Sequence, residues 1–203
     1  MADSSARYHH GNLRAELLFQ AERKLESVGV AGLSLRELAR DIGVSHGAPR
    51  PHFSDKNALL DALAVVGLER LGAQLDGALG NADDSFQDRL TAFARAYVGF
   101  AKDHPALLAL MFERKDKADA PELHAANVRA FAAPSALIAD AFAAGEIADP
   151  DPDRVAMAVL ATIHGLASIV INDMIGDRSV GTVVDGTIAT LIHGLAGRTS
   201  GRA

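Results

Sequence analysis

The sequence has no cysteine among its 203 residues. Disulfides, thiolate nucleophiles and cysteine-based zinc sites are therefore excluded, and a reducing compartment fits. The start, MADSSARYHHGNLR, lacks the apolar core of a signal peptide. The longest apolar stretch, residues 155–171, is interrupted by Thr162, His164, Gly165 and Ser168. It falls short of the roughly 20 apolar residues that a membrane span needs, so no membrane association and a cytoplasmic location are expected. Alternating apolar and polar runs of the β type are missing, as are internal repeats. Gly176 and Gly181 have the spacing of a phosphate loop with Thr182 following, but the phosphate-binding lysine is absent. No G-x-S-x-G elbow occurs, and no clustered carboxylate–histidine pattern supports an enzyme.

Metal sites fare no better. Side chains of the adjacent pair His9–His10 point apart, and no third ligand lies at helical spacing. Asp149, Asp151 and Asp153 alternate as in a calcium loop, but Arg154 stands at the turn glycine and Leu160 at the closing glutamate. Helix capping accounts for these aspartates. Neither a metal nor a cofactor is expected.

What is present is helix. Apolar residues make up 49% of the chain and charged residues 23%, enough for a substantial core in a globular protein. The net charge is −6, unevenly spread: residues 1–60 hold eight Lys/Arg and seven acids, so the acidity lies in the remainder. A first third at +1 is only weakly basic for a DNA-binding surface.

The most informative stretch is residues 33–60, LSLRELARDIGVSHGAPRPHFSDKNALL. Leu35, Leu38, Ala39 and Ile42 share one helical face. Ser34 with Glu37 three residues on reads as a capping box. Gly43 ends this helix in the left-handed conformation, Val44 turns inward, and Ser45 caps a second short helix. Ala39, four residues before the glycine, permits a close helix crossing. This is the pattern of a helix-turn-helix, which lays its second helix in the DNA major groove. Pro51 has no N–H to offer Gly47, and its ring crowds that carbonyl, at a cost of about 3 kcal/mol in a regular helix. The reading helix should therefore be distorted or 3₁₀-like.

Elsewhere, Leu13, Leu17, Ala21, Leu25 and Val28 form a stripe that Gly29 stops. Ser54 is expected to cap a helix over about 55–79, and further helices should cover 86–102 and 106–112. The run ERKDKADA, residues 113–120, reads as a solvated loop. A long helix over 121–144 should be kinked or split by Pro134. Asp151 and Pro152 open a helix running to about 174, and the last spans 180–195. These two final helices are apolar over much of their circumference and need cover on more than one face. A second copy of the chain is the natural cover, with Val159, Ile163, Leu166, Val170, Ile188, Leu191, Ile192 and Leu195 as candidate contacts. Phe93, Tyr97, Phe100, Met111, Phe112, His124, Met157 and His164 form either core or the wall of a small-molecule pocket. Asn172 is a further polar candidate. His164 stands open between the two roles, whereas His193 reads as core.

Gly43-Val44-Ser45, Phe53, Asp55-Lys56 and Leu59-Leu60 resemble the TetR family of bacterial transcriptional repressors over residues 8 to about 64. The opening YHHGNLRAELL and His164-Gly165 resemble a subgroup named for a Trp-His-Gly triplet, with Ile163 in place of the tryptophan. The resemblance implies an all-α protein of about nine helices. A three-helix DNA-binding domain would span 1–57, and a ligand-binding and dimerisation domain 58–203. It also implies a homodimer formed by the last two helices. By the same resemblance, Arg36 and Lys56 face the phosphate backbone, while Ser45, His46, Gly47 and Ala48 face the groove. Arg50 replaces a common tyrosine and is placed either on a phosphate or on a guanine edge. His52 follows it, and Pro49 takes a buried position that relatives fill with leucine. The implied function is a repressor released from a palindromic double-stranded operator by a small-molecule effector. An activator of the same family, or a helical adaptor with impaired DNA binding, is the alternative.

Overall fold

A computed structural model describes residues 13–114 and 120–195. His9–His10 and the YHHG opening lie outside them. Among the described residues there are nine α-helices and no strand: α1 (Leu13–Gly32), α2 (Leu35–Asp41), α3 (Lys56–Gly80), α4 (Phe86–Asp103), α5 (Pro105–Arg114), α6 (Pro121–Ala130), α7 (Ala132–Ala143), α8 (Pro152–Ile171) and α9 (Val180–Leu195). The number matches the expectation. The reading segment is not a regular helix and the stretch 121–144 is split in two, as Pro51 and Pro134 led one to expect.

That second break has a clear cause. It falls at Phe131, which leaves helical geometry between α6 and α7. Pro134 lies three residues further on, inside the first turn of α7. Its ring crowds the carbonyl four residues back, at Ala130, and α6 ends there. Proline is harmless at helix starts, where no N–H is needed, and Pro105, Pro121 and Pro152 open α5, α6 and α8. Asp151 caps α8 as expected, its carboxylate accepting from the Asp153 and Arg154 N–H groups.

The chain forms two compact units. One contains the chain up to Leu68 together with Ala106–Asn127; the other contains Glu69–Pro105 and the chain from Val128 on. In the first, α1 packs on α2 around Leu17, Ala21, Leu25, Leu38 and Ala39, all essentially inaccessible. In the second, α4 is central and packs against α7, α8 and α9. Its Leu90, Phe93, Ala94, Tyr97 and Ala101 recur at helical spacing and are buried. Here the backbones of α3 and α6 also come close: a Cβ added at Gly72 would stand 3.0 Å from the Ala130 Cα.

The helix α8 ends at Ile171, about three residues short of the expected end near 174. By length and composition alone its 20 residues would cross a membrane. Its face bearing Val155, Val159, Ile163, Leu166 and Val170 is instead buried within the unit.

Candidate functional site

The turn after α2 is built by backbone hydrogen bonds. The Val44 N–H donates to the Ala39 carbonyl at 2.9 Å and the Gly43 N–H to the Arg40 carbonyl at 3.1 Å. This is a Schellman motif, and it needs the left-handed φ of +72° at Gly43. A Cβ there would meet nothing within 4 Å, so the cost of a side chain is backbone strain alone. Gly43→Ala should lower stability by about 1 kcal/mol in urea unfolding. No loss would show that the turn relaxes.

The expected capping box is not formed. Ser34 sits at the N-cap of α2, but its side chain makes no capping bond. Glu37 instead pairs with Lys24 of α1 at 3.4 Å, and Asp41 pairs with the same ammonium at 2.6 Å. Two carboxylates one turn apart converge on one cation, which ties α2 to α1. The Lys24 ammonium also holds the Asp41 carboxyl below its ordinary range.

Residues 45–52 form successive tight turns. Ala48 N–H donates to the Ser45 carbonyl, Arg50 N–H to Gly47, and His52 N–H to Pro49, each three residues back. The two prolines supply no donor, so the bonds step over them. This is the 3₁₀-like reading segment that Pro51 demands. Ser45 therefore caps no helix. Pro49 is buried, and its carbonyl also accepts from the Phe53 N–H at 2.9 Å. Phe53, 2% exposed, closes the segment, with the Arg14 guanidinium 5.5 Å above its ring.

Ser45, His46, Gly47, Arg50 and His52 are surface residues, as is Arg36 on the first turn of α2; Ala48 is the more enclosed neighbour. Asp55, not Ser54, caps α3, its carboxylate accepting from the Ala58 N–H at 2.9 Å. Lys56 is half-buried and donates to the Ala31 carbonyl at 3.1 Å. That bond anchors the ammonium beside the kink in α1 at Gly29 and leaves two of its three donors for another acceptor.

The residues proposed for a small-molecule pocket do not form one cluster. Phe93, Tyr97, Phe100, Met157 and His164 belong to one compact unit, and Met111, Phe112 and His124 to the other. Phe93 and Tyr97 meet edge to face at 6.3 Å, and the Tyr97 hydroxyl lies 3.1 Å from His164 Nδ1. Burial pushes the Tyr97 phenol up, so it stays protonated. Met111 is buried, Phe112 half-buried. His124 is exposed and Met157 is 63% exposed, so neither lines a closed pocket. Asn172 turns back to the Ser168 carbonyl at the end of α8.

Five of the eight proposed intersubunit residues turn inward, while Leu191, Ile192 and Leu195 keep partial exposure. Val159, Ile163, Leu166, Val170 and Ile188 are buried within the chain itself. Leu191 and Ile192 are half-buried, and His193 is a surface residue rather than core. The outward face of α8 is instead Met157, Leu160, Ala161, Ser168 and Ile171, all exposed, with half-buried His164 between them.

One pair of residues escaped sequence reasoning. Arg114, assigned to a solvated loop, is the last residue of α5 and only 5% exposed. Its guanidinium bonds the Asp61 carboxylate and, at 3.2 Å, the Asn57 carbonyl. The spacing Asn57–Asp61 on one helix face was visible, but no local signal joins it to a residue 53 positions away.

Fold and site together define an all-helical protein in which α2, the Gly43 turn and the 3₁₀-like reading segment stand where a helix-turn-helix was expected. The family described as tetracycline repressor-like, C-terminal domain, matches residues 90–195, which is half of the chain. The chain belongs to this TetR family of transcriptional regulators. A protein of unknown function from Rhodococcus sp. RHA1 is 43% identical and superposes with a TM-score of 0.86, over 94% of this chain and 99% of that one. The TetR family regulator PfmR of Thermus thermophilus shares the fold, with a TM-score of 0.68 at 18% identity, over 87% of this chain and 97% of that one. An HTH-type transcriptional regulator of Mycobacterium tuberculosis is 35% identical over 101 residues, 49% of this chain and 43% of that protein. The match therefore spans less than half the length of that curated relative.

Proposed function

We propose that this protein is a dimeric transcriptional repressor that reads double-stranded operator DNA and is released by a small-molecule effector. The observation that carries the reading is the segment 45–52, held between the Gly43 turn and buried Phe53 with Ser45, His46, Gly47, Arg50 and His52 at the surface. Arg36 and Lys56 flank it as phosphate contacts, while His46, Gly47 and Arg50 offer themselves to base edges. Met157, Leu160 and Ile171 on α8 provide an apolar face for a second copy, so that two heads address two half-sites of a palindrome. The effector acts by binding one head arrangement better than the other. The protein works where the DNA is, in the cytoplasm.

Gel-shift titration on promoter DNA over a salt series tests this reading. Affinity should fall steeply with salt, and absence of any sequence-specific shift at low salt overturns the proposal. Lys56→Ala should weaken binding to all sequences and reduce the salt slope by about 1. His46→Ala should change the preference among operators instead. Equal effects of both variants on every operator contradict this division of roles.

A further inference from the structure

A cavity of about 410 Å³ opens beside the reading segment, within the compact unit that carries it. That volume falls in the range of small-molecule sites. One wall is a face of α3 on which Ala58, Ala62 and Val65 recur at helical spacing. Two of the three are alanines, and this leaves the space. Phe53 and, on α6, Pro121 and Leu123 add apolar surface to a lining that also carries charged groups. The residues named earlier as pocket candidates do not line it.

The charged groups at the cavity are Arg14, Asp61 and Glu122, with the His52 imidazole beside them. The Asp61 carboxylate is already matched by Arg114. The Arg14 guanidinium lies 5.5 Å over the Phe53 ring, a cation–π contact that leaves its N–H donors for an acceptor. A guanidinium fork suits a carboxylate. Glu122 opposes a second negative charge, which disfavours phosphates and dicarboxylates.

We propose that this cavity binds a small apolar monocarboxylate, its carboxylate on Arg14 and its apolar body against Ala62 and Val65. Phe53 belongs both to the cavity wall and to the end of the reading segment, so an occupant acts on DNA reading directly. This last step rests on the function proposed above.

Octanoate and octylamine, titrated calorimetrically into the full chain, test the site. Octanoate should bind once per chain, with octylamine at least tenfold weaker. Arg14→Gln, at an exposed position, should lower octanoate affinity at least tenfold. Ala62→Phe, or Val65→Met should the first fail to fold, should abolish binding. Equal affinity for the two probes, no octanoate binding, or binding that survives filling of the cavity overturns the site. Saturating octanoate should shift operator affinity at least fivefold in the wild type and not in Arg14→Gln. An unchanged operator affinity overturns the coupling. A chain that binds octanoate as described but no DNA overturns the repressor reading and leaves the site standing.

Discussion

Asp61→Ala should lower the thermal midpoint of unfolding by roughly 6–12 °C in a chain of this size. The Arg114 side chain is 6% exposed and that of Asp61 is 27% exposed. Removing the aspartate strands a buried positive charge, a loss of about 3 kcal/mol. The Asn57 carbonyl still accepts from the guanidinium but does not neutralise it. Arg114→Met is the informative contrast. It removes the buried charge, keeps most of the volume, and leaves Asp61 on the side that water reaches. Its loss should be less than half that of Asp61→Ala, both read by calorimetry at one pH. Arg114→Met as damaging as Asp61→Ala would show that the hydrogen bonds to Asn57, rather than the stranded charge, dominate.

Leu160→Arg should separate the two copies of the proposed dimer. Leu160 is 39% exposed and Met157 63% exposed on the outward face of α8, so the variant keeps its intrachain core. In a two-fold interface each substitution appears twice, and two guanidinium groups would be buried without partners. Light scattering should report half the wild-type mass. Operator affinity should fall more than a hundredfold, since joining two heads multiplies affinity by about 10² to 10⁴. An unchanged mass overturns the placement of the interface on this face. The same substitution at Val159, which is 2% exposed, should unfold the chain instead. That contrast separates the outward face from the buried one.

The buried face had been the natural choice for the interface, because the apolar pattern of α8 is broad. A helix apolar on two sides does not say which side its own chain will claim. Only the position of α4 decides it: Val159, Ile163 and Leu166 turn inward, and the opposite stripe is left outside. The same limit explains the pocket candidates. Phe93, Tyr97 and His164 do come together, but His124 and Met157 carry no local mark of exposure.

By itself the sequence determined the all-helical class, most helix ends, the Gly43 turn and the distorted reading segment. Each depends on interactions within a few residues: a glycine that tolerates positive φ, prolines without an N–H, an aspartate one residue before Pro152. The pairing of Glu37 with Lys24 rather than Ser34, the burial of Arg114 against Asp61, the α8 face left uncovered and the cavity beneath Phe53 were decided only by tertiary structure. In each of these the outcome depends on partners brought together from distant parts of the chain, and local spacing carries no information about which of them will meet.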